Sequence, residues 1–209
     1  MDVDSVNILG RIGRVNTYHH GNLRAELLRT AVELAREQGP GGVVLREVAR
    51  RAGVSHNAAY RHFADRDELL SATAEAGQDE LSRAMAGRAA RVRGGDRAER
   101  SVRRLREIGK AYVLFAVREP GLFATAFAAT VEHTGDESGP YELLSAALDE
   151  MVECGTLSPD RREGAEVACW SAVHGFAVLH IDGPLEDVPA RERDRQLEVM
   201  LDALQAGLG

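Results

Sequence analysis

The chain has 209 residues, 44% of them hydrophobic and 28% charged, with a net charge of −7. That composition supports a folded core and excludes a collagen-like or low-complexity chain. No apolar run reaches the ~18 residues of a membrane span, and two cysteines, Cys154 and Cys169, cannot build a disulfide scaffold.

The net charge conceals a split. Residues 11–66 carry ten arginines against five carboxylates, a local balance of +5, whereas residues 67–209 stand at −10. A basic N-terminal quarter on an acidic body is the footprint of a polyanionic partner at one end, though a charged helix surface gives the same balance. The opening stretch MDVDSVNILGRIGRVNTYHHG lacks the apolar core of a secretory signal. A cytoplasmic chain with reduced thiols is expected.

In chain order, residues 1–17 show no periodicity and read as a flexible basic arm. Asn22 is placed to cap a first helix, whose stripe is Leu27, Leu28, Ala31, Val32, Leu34 and Ala35, stopped at Gly39. A short helix over Leu45 to Arg51 ends at Gly53. Ser55 caps another over His56 to Phe63, and Asp65 caps a fourth that fades near Gly94-Gly95. From Asp96 the pattern is helical to Pro120. A short helix holds Phe123 and Phe127, and residues 132–140 form a polar loop. Tyr141 to Glu153 is helical. Ser158-Pro159 opens a helix to about His180, and the last runs from about Ala190 to Ala206. No period-2 strand and no repeat is present, so the fold class is all-α.

Residues 45–63, LREVARRAGVSHNAAYRHF, follow the helix-turn-helix plan. Val48, Ala49 and Val54 let two helices cross closely, and Gly53 permits a left-handed turn. Residues just past the start of such a second helix reach base edges. Here they are His56, Asn57 and Ala58. An Asn can bond adenine bidentately, and an Ala can meet a thymine methyl. Arg46 adds a cation at the start of the preceding helix, and Arg61 is a further candidate reader.

YHHGNLR at 18–24, LREVARRAGVSHNAAYRHFADRDELL at 45–70 and an acidic all-α remainder together resemble the TetR family of transcriptional regulators. The segment WSAVHGFAVLHIDG at 170–183 looks like the subgroup with a Trp-His-Gly signature, here Trp170, His174 and Gly175. The resemblance implies an N-terminal three-helix DNA-binding domain over 18–70 and a C-terminal helical ligand-binding and dimerisation domain over 71–209. It implies that Tyr60 touches a DNA phosphate, that His62 lies near the DNA backbone, and that Arg66 clamps a phosphate where Lys is usual. Position 44 is commonly Thr or Ser in that family and caps the second helix. Val44 gives up that cap.

The resemblance further implies a homodimer on a palindromic operator in double-stranded DNA and an unknown small-molecule effector in the body. Effector binding would move the fourth helix and respace recognition helices held one DNA turn apart, ~34–36 Å. A repressor is expected. Met85, Tyr112, Phe115, Phe123, Phe127, Trp170 and His174 are candidate pocket residues, although ordinary core packing is the better account of any single aromatic or Met and a buried, hydrogen-bonded core role that of His174. Lys110, the sole lysine, is expected on the exposed side of its helix. His19-His20 has too few ligands for a metal, and His133, Asp136 and Glu137 read as a solvated loop, so no metal or cofactor is expected. No GxSxG, HExxH or phosphate loop is present. The alternative is a small-molecule-binding or enzymatic helical protein without a DNA role.

Overall fold

The computed structural model describes residues 23–128 and 139–208, and every described element is helical. The proposed arm, the His19-His20 pair, the Asn22 cap and the loop residues His133, Asp136 and Glu137 lie outside the described residues.

The N-terminal head contains α1 (Leu23–Gln38), α2 (Leu45–Arg51) and α3 (His56–Tyr60), with a 3-10 turn at Gly39–Gly42. Leu27, Ala31, Leu34 and Ala35 form the buried stripe of α1 and meet Val48, Ala59 and Phe63. Gly53 takes φ 70° in the turn between α2 and α3, a conformation that disfavours any residue with a Cβ. Ser55 accepts the Ala58 N–H at 3.2 Å and so starts α3. That helix ends at Tyr60, three residues before the expected Phe63; Phe63 instead folds back as a fully buried anchor, with the Arg24 guanidinium 4.7 Å from its ring centre.

Asp65 accepts the Glu68 N–H at 2.8 Å and launches α4 (Arg66–Ala89), which runs from the head into the body. Asp96 caps α5 (Arg97–Arg118) in the same way through Glu99. The remaining helices are α6 (Pro120–Ala126), α7 (Pro140–Glu153), α8 (Ala165–Ile181) and α9 (Ala190–Leu208). The expected long helix from Pro159 is not continuous. A 3-10 turn occupies Pro159–Arg161, and Gly164 at φ 76° breaks the path, so α8 starts at Ala165. Proline suits the first position of a 3-10 turn as well as of an α-helix, which is why it misplaced the boundary.

Helix α6 joins head to body. A Cβ on Gly121 would overlap the Ala35 carbonyl oxygen and lie 2.7 Å from that of Arg36. Only glycine lets α6 approach the end of α1 this closely. Arg36 bridges Glu119 at 3.0 Å and also pairs with Glu80 of α4. One continuous apolar core therefore runs from Leu27 of the head to Leu201 of the body, with a smaller cluster around Leu148, Met151 and Cys169.

Candidate nucleic-acid interface and body cavity

The α2–α3 unit exposes one edge. Asn57, Tyr60 and Arg61 are exposed, Ala58 is half-buried and Ala59 points into the core. The His56 ring stands edge-on to Tyr60 with centres 4.4 Å apart, and its covered Nε2 has no hydrogen-bond partner. Thus Asn57 presents its amide freely, while His56 is turned towards Tyr60. His62 is half-buried beside the edge.

The arginines of the head sort into two groups. Arg51 bonds Glu37 at 2.7 Å, Arg50 bonds Glu47 at 2.6 Å, and Arg29 and Arg36 are also paired. Exposed Arg46 and Arg61 have no acidic partner among the described residues. Their charge is uncommitted on the side where the HTH meets solvent. Arg66 does not stand free: its Nη2 donates to the Pro40 carbonyl oxygen at 2.8 Å and ties α4 to the 3-10 turn. Val44 precedes α2 with no side-chain cap bond, as its side-chain chemistry requires.

In the body, a narrow cavity lies among α4, α5, α7, α8 and α9, with about 40 Å³ of interior space. That is room for about three waters. Met85, Tyr112 and Trp170 line it. Phe123, Phe127 and His174 do not; they pack behind Tyr112 in an aromatic cluster with centres 5.0–6.2 Å apart. Phe115 faces a separate open groove between α4 and α5. Which side of α6 and α8 meets the void depends on five-helix packing, which a single-helix stripe does not encode.

Tyr112 Oη and His174 Nδ1 share a hydrogen bond of 2.8 Å. Burial raises the tyrosine well above its ordinary range and lowers the histidine. Burial likewise pushes the Cys169 thiol, a lining residue, up to about 11.

Three features escaped the sequence. Lys110 is not exposed: its Nζ lies 2.6 Å from Glu198 and only 18% of its side chain is accessible. Buried Glu166 bonds Arg162 and Ser145, joining α7 to α8. Buried His180 bonds the Phe176 carbonyl oxygen at 2.9 Å and Gln196 at 3.2 Å, joining α8 to α9.

Among the described residues no cluster of three or more His, Cys, Asp or Glu could hold a metal, and no helix is long and apolar enough to cross a membrane.

Two family models match. Residues 27–73 match the bacterial regulatory proteins of the tetR family, and residues 105–204 match a tetracyclin repressor-like C-terminal domain. An HTH-type transcriptional repressor of Mycobacterium tuberculosis is 38% identical over 48 residues, 23% of this chain. The chain spans about a quarter of the length of the curated relatives it matches. A Rhodococcus sp. protein of unknown function is 30% identical, with a TM-score of 0.75, over 92% of this chain and 98% of its own. The fold is also shared with a TetR variant from Acinetobacter baumannii in complex with minocycline, at 22% identity and a TM-score of 0.63 over 88% of this chain and 94% of that one. Head and body each match the same family along most of the described chain, and the chain belongs to the TetR family of bacterial regulatory proteins.

Proposed function

We propose that this protein is a DNA-binding transcriptional repressor that a small molecule releases from its operator. The observation that carries the reading is the exposed face of α3 with Asn57, Tyr60 and Arg61, together with the exposed Arg46 of α2, which has no acidic partner among the described residues. In this reading residues 18–70 are the DNA-binding domain and residues 71–209 the effector and dimerisation domain. Asn57 and Arg61 read bases, with Ala58 against a thymine methyl and His56 contributing after its ring leaves Tyr60. Arg46, Ser55, Tyr60 and His62 hold phosphates and set the register. Arg66 acts on the backbone only if it exchanges the Pro40 carbonyl for a phosphate.

The working form is a homodimer. Val167, Val178 and Leu179 on α8 and Val199 on α9 are left exposed, more apolar surface on two neighbouring helices than a monomer needs. Two heads on one palindrome multiply the affinity of a single short reading helix. The named A. baumannii TetR variant binds minocycline in its crystal structure. Here the body cavity is the corresponding candidate site for an effector, whose differential affinity for two head spacings would set the loss of DNA binding.

Footprinting on DNA flanking the protein's own gene tests this, with excess non-specific competitor at two salt concentrations. A protected palindrome whose affinity falls steeply with salt is expected. Asn57→Ala should lose ~1–3 kcal/mol of discrimination at its base. Unaltered selectivity in that variant would remove Asn57 as a reader.

A further inference from the structure

Helices α4 and α5 border an open groove that, among the described residues, shares no lining residue with the body cavity. It holds about 440 Å³, against about 40 Å³ in the cavity, and falls in the size range of small-molecule sites. The two helices run antiparallel along it. Arg36 ties Glu80 to Glu119 at the end nearer the head, and Arg88 pairs with Glu107 at 2.7 Å towards the other. The floor is apolar, made of Ala84, Gly87, Ala111, Leu114 and Phe115. Gly87 is exposed, and a Cβ there would meet nothing within 4 Å. No neighbour therefore requires a glycine, although glycine inside a helix costs stability. What it leaves is an open shelf with the ~3.5–4 Å of clearance that a ring in contact needs.

The charge of the groove runs against that of the body. Residues 67–209 stand at −10. Four arginines nevertheless line the groove, against two glutamates. Both glutamates are held by Arg36, and Arg88 is held by Glu107. Exposed Arg83, Arg91 and Arg118 have no acidic partner among the described residues. Arg83 donates its Nε to the Asp79 carbonyl oxygen at 3.1 Å, which leaves its terminal nitrogens free. Arg83, Gly87 and Arg91 form one i, i+4, i+8 row on α4, with a cation on each side of the open shelf. The two arginines stand ~12 Å apart along the helix. Arg118 adjoins Glu119 and so lies towards the Arg83 end. Guanidinium groups match carboxylates and phosphates in bidentate geometry and also stack on aromatic faces.

We infer that the groove is a second small-molecule site, which takes an elongated aromatic dianion. Its flat ring system lies over Gly87, one carboxylate or phosphate meets Arg83 and Arg118, and the other meets Arg91. The inference goes beyond the effector reading of the body cavity, and neither DNA binding nor dimerisation enters it.

The full-length protein is titrated calorimetrically with naphthalene-2,6-dicarboxylate. The single-charge analogue is 2-naphthoate, and the neutral one is 2,6-naphthalenedimethanol. Saturable binding of the dicarboxylate is expected, about tenfold tighter than 2-naphthoate and weakened by added salt, with no saturable binding of the diol. Arg91→Gln should cost the dicarboxylate about that tenfold and leave 2-naphthoate nearly unchanged, since a single carboxylate takes the two-arginine end. Gly87→Leu fills the shelf and should abolish binding of both acids, while its better helix propensity keeps Tm at or above that of wild type. Loss of binding in that variant also places the ligand outside the body cavity. Binding retained by folded Gly87→Leu overturns the inference. So does a diol bound as tightly as the dicarboxylate, a dicarboxylate bound no tighter than 2-naphthoate, or no saturable binding of any probe. If Gly87→Leu fails to fold, the surface variant Arg91→Gln decides, and an unchanged dicarboxylate affinity there overturns the inference.

Discussion

Tyr112 Oη and His174 Nδ1 lie 2.8 Å apart and join α5 to α8 inside a cluster of rings. Trp170 is 5.8 Å from Tyr112, and Phe127 is 5.3 Å from His174, centre to centre. Burial lowers the histidine's proton affinity, so the pair is neutral when folded. In the unfolded chain the imidazole protonates near its ordinary value of ~6.5. Below that pH the unfolded state binds the extra proton, and stability falls as pH drops towards the lower folded value. Urea midpoints between pH 8 and pH 5 should therefore fall more steeply for wild type than for His174→Gln. Identical slopes would show that His174 is not the group responsible.

Val44 offers a gain of stability. It sits at the N-cap of α2 with extended backbone and no side-chain bond. A threonine there can accept an orphan N–H of the first turn. Val44→Thr is expected to raise stability by ~1 kcal/mol in denaturant unfolding. A neutral or negative change would mean that the exposed valine makes a contact worth as much as the cap.

The α1–α6 junction should be intolerant. Gly121→Ala drives a Cβ into the Ala35 and Arg36 carbonyls, backbone atoms that cannot swing aside. A loss of ~1–3 kcal/mol is expected in thermal unfolding. Because the same contact positions the head on the body, the variant should also shift the effector concentration needed for operator release. Stability lost without any change in release would confine α6 to a structural role.

The head's arginines should separate by their partners. Arg46→Ala should lower the salt dependence of operator binding by about one counterion, whereas Arg61→Ala should relax selectivity at the base it reads. Arg50→Ala should change the salt dependence less, since Glu47 already holds that guanidinium. An equal loss of salt dependence in Arg46→Ala and Arg50→Ala would indicate that the Arg50–Glu47 pair opens on DNA.

Local chemistry was legible in the sequence, and distant pairing was not. Ser55 and Asp65 cap the helices they were expected to cap, because a cap needs only a side chain and an N–H three residues on. The α2–turn–α3 unit was readable for the same reason, with Gly53 fixing the turn. Lys110 was misplaced because Glu198 lies far along the chain and arrives through α9 packing. The bond from Arg66 to the Pro40 carbonyl oxygen joins residues 26 apart in sequence, so no local pattern announces it. Phe123 and Phe127 were recognisable as aromatic neighbours. That they support Tyr112 rather than line the body cavity follows from how α6 is rotated against α5, which no local pattern records.

The most direct test of the central claim is selection of bound sequences from a randomised duplex pool by the full-length protein. Enrichment of one palindrome is expected, with half-site centres about one helical turn apart, and with its outer bases relaxed in Asn57→Ala. A pool that stays random after repeated rounds, with equal affinity for every duplex, would contradict a sequence-specific regulator.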